Sequence, residues 1–310
     1  MNKVNSETQI KLYGLDIYMN ELINLYKKKS LPNKILLSGE KGIGKSTLAY
    51  HFINYVLSNE EETIYDIGKF EINSNSTTFK TILNQSNPNF ILINNSLEKK
   101  NIDINQIREL ILKLNKSSFN NRPRFILIDN IELLSLNSIN ALLKVLEEPS
   151  DNTYFILINS NKKIPNTLLS RCIDFKIFLS NKQKIEISNK LLENSFFHKI
   201  NQDLLNYYFT PGNIYNLSKF AEDYKYDLSK LKLKDLLQKI IKDKHYKTDN
   251  LMKYFVFELM ETYLSNLGKS FTTKMYNNYS YFIKKISEAK KYNLDLESLF
   301  FEFENEVING

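Results

Sequence analysis

The stretch Gly39-Glu-Lys-Gly-Ile-Gly-Lys45-Ser46 decides the fold. It fits the phosphate-loop pattern G-x-x-x-x-G-K-[ST], in which glycines let backbone N–H groups turn onto phosphate oxygens. An apolar run at residues 35–38 precedes it and a helical pattern follows, which is the strand–loop–helix context that the pattern requires. The sequence therefore predicts a nucleotide site, with Lys45 on the β- and γ-phosphates and the Ser46 hydroxyl on Mg²⁺.

A glycine turn that only caps a helix is the simpler alternative for this stretch. Three of the eight glycines of the chain fall within the six residues 39–44, however, and they stand in the correct context. This concentration favours the phosphate loop over the simple turn.

Outward from the loop, apolar β-branched runs alternate with helical patterns through the first half of the chain. This alternation is typical of a parallel sheet covered by helices, so we predict an α/β P-loop core. The predicted strands are residues 35–38, 90–94, 125–129, 154–159 and 175–178.

From about residue 181 onward the strand signal fades and amphipathic helical stripes remain, which predicts an all-helical second half. A break at Thr210-Pro211-Gly212 separates two parts of it. We predict an α/β P-loop core at residues 1–178, a small helical lid at 179–228 and a C-terminal all-α domain at 229–310. Residues 59–87 are rich in Asn, Ser and Thr without a clear period, and we interpret them as a surface insertion.

Composition limits the class of protein. Hydrophobic content of 42% and charged content of 25% over 310 residues are close to globular averages and argue against a disordered or fibrous chain. The net charge of +7 favours anionic partners without proving nucleic-acid binding. The single cysteine, Cys172, excludes an intrachain disulfide and suits a reducing compartment. With no signal-like start and no run approaching about 18 apolar residues, we expect a cytoplasmic protein that does not enter a membrane.

A second element of the nucleotide site is Arg124-Phe-Ile-Leu-Ile-Asp129, an apolar strand that ends in a carboxylate. A P-loop fold holds its Walker B aspartate for Mg²⁺ at such a strand end. A strand-end aspartate taken alone is as readily a turn residue or a helix cap. Paired with a phosphate loop upstream, Asp129 is better interpreted as a functional residue.

Two further stretches carry a resemblance to a known family. Asn140-Ala-Leu-Leu-Lys-Val-Leu-Glu-Glu-Pro149 agrees over ten consecutive positions with N-A-L-L-K-x-L-E-E-P, and residues 164–172 (Ile-Pro-Asn-Thr-Leu-Leu-Ser-Arg-Cys) are similar to L-P-x-T-x-x-S-R-C. An amphipathic core helix would explain the leucines of the first stretch but not its polar residues. With Leu12-Tyr-Gly14 and Leu31-Pro32 upstream, the chain resembles bacterial DNA polymerase III clamp loader subunits, which are AAA+ proteins, over about residues 10–180.

This resemblance implies an ATP-dependent replication complex whose collar domains hold the subunits in a ring. The implied partners are the other clamp loader subunits (γ/τ and δ), the β sliding clamp and primed DNA, and the implied cofactors are ATP and Mg²⁺. In this family, the arginine that matches Arg171 is a finger that reaches the nucleotide of the neighbouring subunit. Arg171 is therefore our candidate catalytic residue, acting in trans.

The chain departs from the motor subunits of the family at two positions. They place a glutamate directly after the Walker B aspartate to polarise the attacking water, whereas this chain has Asn130, and an amide cannot accept the proton. Glu132 lies two positions further; we expect its direction to differ and do not let it substitute. Asn213 stands where the lid arginine of a motor subunit contacts the γ-phosphate. We therefore expect weak or absent hydrolysis, as in subunits of the δ′ type.

Other functions remain open at this point. An active motor subunit of the γ/τ kind or an unrelated P-loop NTPase would hydrolyse ATP by itself, and a pure scaffold with a relic loop would not bind it. One cysteine cannot build the four-cysteine zinc module that motor subunits commonly carry, so we expect no zinc. Our candidate metal residues are Ser46 and Asp129, for Mg²⁺ held with the nucleotide. Our nucleotide-binding candidates are Gly39, Glu40, Lys41, Gly42, Ile43, Gly44, Lys45, Ser46, Thr47, Asp129 and Asn159.

Overall fold

Five short apolar segments form one fully parallel sheet in the order β2-β3-β4-β1-β5. The computed structural model describes residues 5–95, 101–115, 120–192, 200–205, 210–248, 250–267, 273–292 and 295–309. The strands are β1 (Lys34–Ser38), β2 (Phe90–Ile93), β3 (Arg124–Ile128), β4 (Thr153–Asn159) and β5 (Ile173–Lys176). The predicted parallel α/β core is confirmed, with β5 beginning two residues earlier than expected.

Both faces of β1, β3 and β4 are buried, which is why these strands are continuous apolar runs rather than alternating ones. Successive side chains of a strand point to opposite faces. In β3, Phe125 and Leu127 join one core cluster, whereas Ile126 and Ile128 join the other. Helices must therefore cover the sheet on both sides.

Thirteen α-helices fall within the described residues. Their bounds are α1 (Asp16–Lys27), α2 (Lys45–Leu57), α3 (Thr77–Leu83), α4 (Ile104–Leu114), α5 (Leu136–Glu147), α6 (Asn166–Leu169), α7 (Asn181–Leu191), α8 (Gln202–Leu205), α9 (Pro211–Asp223), α10 (Leu233–Lys242), α11 (Asn250–Leu267), α12 (Thr273–Tyr292) and α13 (Leu296–Phe303). None of these described helices combines the length and apolarity that a bilayer crossing needs.

The chain divides into two compact units. The first contains residues 1–194 and 210–220, and the second contains residues 195–209 and 221–310. Beyond residue 181 every described regular element is helical, as the sequence predicts. The three-domain boundaries at 178 and 228 stay a prediction.

The polar stretch at residues 59–87 is not the simple surface insertion that its composition suggests. It contributes Tyr65, Ile72, Phe79 and Ile82 to the core cluster beneath the sheet. Glu71 forms antiparallel bridges with Lys11 and Asp66. The interpretation was wrong because α3 has only seven residues, which is too short for its buried positions to show a helical period.

The side chain of Glu61 caps the amino end of α3 and holds this stretch in place. The Glu61 carboxylate accepts hydrogen bonds from the Ser76 hydroxyl (2.8 Å), the Thr77 N–H (3.0 Å), the Thr78 N–H (2.8 Å) and the Thr78 hydroxyl (2.6 Å). The first N–H groups of a helix lack partners inside the helix, so an external carboxylate at this end stabilises it.

We predict that Glu61→Ala lowers the free energy of unfolding by about 1–3 kcal/mol, because several charge-assisted hydrogen bonds are lost together. Urea denaturation of the full chain measures the effect. Glu62→Ala is the matched control, since the neighbouring Glu62 is exposed. Equal stability of the two variants would contradict the capping role.

Candidate nucleotide-binding site

The phosphate-loop candidate joins the end of β1 to the start of α2. Gly42 and Gly44 have φ of 84° and 97°, a left-handed conformation that L-residues rarely adopt. The Gly39 N–H donates to the Asn159 carbonyl at 3.3 Å, which ties the loop to the end of β4. The sequence signature therefore stands at the amino end of a 13-residue helix, where anions are favoured.

Lys45 is buried at the centre of the loop, with 5% of its surface exposed. Its ammonium donates to the carbonyls of Gly39 (2.9 Å) and Glu40 (2.6 Å). Burial lowers the pKa of Lys45 to about 8, against the opposing charges of Asp129 and Glu132. A buried cation bonded only to neutral carbonyls is well placed to bind phosphate oxygens.

Ser46 and Asp129, the two candidate magnesium residues, lie side by side. The Ser46 hydroxyl donates to Asp129 Oδ2 at 3.0 Å. Burial raises the pKa of Asp129, and the Ser46 hydrogen bond opposes that shift. A hydroxyl and a carboxylate are hard oxygen ligands that fit Mg²⁺, which takes its remaining ligands from water and nucleotide phosphates. Among the described residues no group of three or more His, Cys, Asp or Glu side chains could hold a metal ion.

Past Asp129 the chain turns sharply. Asn130 has φ of 59° and ψ of 56°, and the short 3₁₀ helix Ile131–Leu133 follows. This turn brings Glu132 back toward the site: its Oε1 accepts from the Ser160 N–H at 3.3 Å, and its charge raises the pKa values of both Lys45 and Asp129. The expectation that Glu132 would point elsewhere was wrong, because the left-handed residue reverses the chain.

Asn159, the remaining strand-end candidate, uses its side chain locally. Its amide donates to the Lys162 carbonyl at 3.0 Å and accepts from the Lys162 N–H at 3.2 Å. Its own carbonyl receives the Gly39 N–H. In this structure Asn159 therefore shapes the end of β4 and anchors the loop, and its contact with a nucleotide stays a prediction.

The first turn of α9, together with Thr210 just before it, packs directly on the loop. The Gly212 N–H donates to the Gly42 carbonyl at 2.9 Å. A Cβ at Gly42 would lie 2.3 Å from the Thr210 hydroxyl and 3.3 Å from the Asn213 amide oxygen, so only glycine fits there. The Thr210 hydroxyl is buried without a hydrogen-bond partner among the described residues. Asn213 thus lies beside the phosphate loop, and its match to the lid arginine stays a prediction.

Arg171 lies at the opposite end of the sheet. Its guanidinium donates to Glu147 Oε1 (2.6 Å) and to the Thr167 carbonyl (2.8 Å). About a third of its side chain is exposed, at 32%. The contact joins the last residue of the N-A-L-L-K-x-L-E helix to the S-R-C segment, so the two motifs of the sequence meet in space.

Cys172, next to the arginine, is a packing residue. It is partly buried against the second core cluster, and burial raises the pKa of its thiol to about 11. A thiol with that pKa is protonated at neutral pH and is a poor nucleophile. Cys172 therefore acts as a small hydrophobic side chain.

Two charged residues that contact these sites were given no role by the sequence analysis. Lys184, on α7 and only 7% exposed, forms a 2.5 Å ion pair with Glu40 of the loop. Glu147 holds Arg171. Lys184 and Glu147 stand on helices far from their partners in sequence, and no local pattern reveals such pairs.

Comparisons with known proteins indicate a subunit of DNA polymerase III. A family model described as "DNA polymerase III, delta subunit" matches residues 15–180. The chain is 32% identical over 151 residues to DNA polymerase III subunit delta′ of Buchnera aphidicola subsp. Baizongia pistaciae, covering 47% of this chain and 44% of that protein. It is 31% identical over 177 residues to DNA polymerase III subunit gamma of Buchnera aphidicola subsp. Schizaphis graminum, covering 56% and 46%.

A solved structure of a DNA polymerase III gamma subunit-related protein from Thermotoga maritima is similar with a TM-score of 0.49 and 17% identity, covering 90% of this chain and 96% of that chain. The chain spans less than half the length of the two curated relatives above.

The buried Lys45 makes stability depend on pH in a defined direction. Its pKa is about 8 in the folded chain and about 10.5 when unfolded, so between these values the unfolded state binds more protons and stability rises with pH. We predict that the wild type gains about 1–3 kcal/mol over Lys45→Met between about pH 7.5 and 10. Urea denaturation across that range measures it, with the exposed Lys27→Met as control. Parallel profiles for all three proteins would rule out the shift.

Proposed function

The chain belongs to the DNA polymerase III delta-subunit family, and from that premise we propose that it is a clamp loader subunit of the δ′ type. Such a subunit helps to load the sliding clamp onto primed DNA during replication. In this proposal the chain binds ATP, hydrolyses it weakly or not at all, and supplies Arg171 to the ATPase site of a neighbouring subunit.

The observation that carries this proposal is the polarity of the sheet. β1 and β5 are parallel, with Ile35 paired to Ile173 and Ser38 paired to Lys176. The phosphate loop leaves the carboxyl end of β1, whereas Arg171 precedes the amino end of β5. The two sites are therefore separated by at least the length of the paired strands, about 10 Å. This separation supports action on a second nucleotide rather than on the chain's own.

The surroundings of Arg171 also support a docking role. Glu147 and the Thr167 carbonyl hold two arms of the guanidinium, so little side-chain freedom remains to be lost on contact. Leu169 and Ile173, on either side in sequence, are 39% and 55% exposed. Exposed apolar side chains around a fixed cation suit a neighbouring subunit that presents a triphosphate.

The nucleotide site supports binding more clearly than turnover. Lys45, Ser46 and Asp129 are assembled for phosphate and Mg²⁺, and Mg²⁺ when bound would neutralise charge on the β- and γ-phosphates. Asn130 and Asn213 stand where a motor subunit has a catalytic glutamate and a lid arginine. These two amides favour the δ′ type over the γ/τ type, although both types occur among the relatives.

The proposed partners follow from the family. They are the γ/τ and δ subunits, the β clamp and primed DNA, in the cytoplasm. The net charge of +7 suits DNA phosphates, which lysine and arginine contact without reading sequence.

We predict that Lys45→Ala abolishes binding of a slowly hydrolysed ATP analogue with Mg²⁺, because the buried cation at the phosphates is lost. Isothermal calorimetry on the full chain measures the affinity, with Lys27→Ala as the control. No binding to the wild type would favour the relic scaffold. Steady-state turnover by the isolated wild type at the rate of a motor subunit would favour the γ/τ alternative.

We predict that Arg171→Ala collapses clamp-dependent ATPase when the chain is mixed with purified motor and δ subunits. Hydrolysis at the site that receives the finger should fall by about 10³-fold or more. Arg171→Lys should not rescue it, because an ammonium lacks the planar fork. Arg108→Ala, an exposed arginine on α4, is the matched control. Full activity of the Arg171→Ala complex would defeat the finger proposal.

A further inference from the structure

We propose that Glu132 is the general base of the chain's own nucleotide site, in place of the glutamate that Asn130 replaces. The proposal rests on the proposed nucleotide binding and deepens it, because it names the residue through which weak hydrolysis would proceed. The role belongs to a position three residues after Asp129 rather than one.

The backbone explains how a residue at this position can reach the site. Asn130 adopts the left-handed conformation and Ile131, the first residue of the 3₁₀ helix, is fully buried. Ile131 packs in the same core cluster as Ile126 and Ile128 of β3. The next side chain, Glu132, extends to the carboxyl end of β4. There the Ser160 N–H donates to Glu132 Oε1 at 3.3 Å.

Ser160 directly follows Asn159, whose carbonyl accepts the Gly39 N–H at 3.3 Å. The Glu132 carboxylate is therefore hydrogen-bonded to the residue that directly follows Asn159, the anchor of the phosphate loop. Its negative charge acts on both Lys45 and Asp129. The hydrogen bond from Ser160 and the burial of Oε2 place the carboxylate at the carboxyl end of β4, beside the anchor of the phosphate loop.

The second carboxylate oxygen carries the main argument. Glu132 Oε2 is buried and has no hydrogen-bond partner among the residues that the structure describes. A buried carboxylate oxygen without a donor is unfavourable by about 1–3 kcal/mol or more, so native proteins supply a donor or use the group chemically. A water molecule bound beside the γ-phosphate is a donor of the required kind.

The chemical step balances with ATP and water alone. The water oxygen attacks the γ-phosphorus, the bond from that phosphorus to the β,γ-bridging oxygen breaks, and ADP leaves with the bond's electron pair. The proton of the attacking water passes to Glu132 Oε2 and then to phosphate or solvent. Oε1 stays bonded to the Ser160 N–H, which fixes the direction of the free oxygen.

The test is single-turnover hydrolysis of ATP by excess full-length chain with Mg²⁺. Glu132→Gln keeps the shape and the acceptor for Ser160 but cannot take a proton. We expect slow hydrolysis by the wild type and a fall of about 10²-fold or more in Glu132→Gln, down to the background of Lys45→Ala. Glu109→Gln, an exposed glutamate on α4, is the matched control and should keep the wild-type rate.

A binding measurement provides a second readout. Removing a negative charge close to the γ-phosphate should tighten binding of a slowly hydrolysed ATP analogue by about tenfold while ADP affinity changes little. Calorimetry on Glu132→Gln and Glu109→Gln measures both affinities.

The inference is overturned if Glu132→Gln hydrolyses ATP at the wild-type rate, if the wild type is no faster than Lys45→Ala, or if the variant binds ATP analogue and ADP with unchanged relative affinity. None of these outcomes contradicts the proposed function, provided that the wild type binds the ATP analogue and that the complex needs Arg171 for its ATPase activity. Absence of nucleotide binding by the wild type would instead remove the proposed function as well.

Discussion

Parallel strand orientation is the constraint on which the rest of this molecule depends. Because β1, β3 and β4 run in the same direction, their carboxyl ends meet at one edge of the sheet, where loops can bring polar groups together. Lys45 follows β1, whereas Asp129 and Glu132 follow β3, and the two segments converge only for this reason. Arg171 precedes β5 instead of following a strand, so the same orientation places it at the amino ends of the strands.

In the site, burial disfavours the charged forms of Lys45 and Asp129, and hydrogen bonds offset this only in part. Lys45 is bonded to two backbone carbonyls of its own loop, while Asp129 accepts the Ser46 hydroxyl. Neither arrangement fully compensates a buried charge, since burial shifts both pKa values toward the neutral forms. A polyanion accompanied by a divalent cation would offer partners to both groups, which supports the proposed nucleotide binding.

The strands, the phosphate loop and the Ser46–Asp129 pair could be predicted from the sequence because each rests on a local pattern. The loop signature fixes three positive-φ glycines, and continuous apolar runs are typical of a sheet buried on both faces. Glu132 could not be assigned, because its direction depends on one backbone conformation at Asn130. The burial of Phe79 could not be predicted for a different reason, because α3 is too short to show a helical period in the sequence.

The contact between Gly42 and Gly212 has a mechanical consequence. A Cβ at Gly212 would lie 3.0 Å from the Cα and the carbonyl oxygen of Gly42, and a main-chain hydrogen bond joins the two glycines. No rotamer can absorb a displacement at such a junction, because neither residue has a side chain to rearrange. A shift of the loop would therefore reach the first turn of α9 directly through the main chain, with no side chain between the two segments.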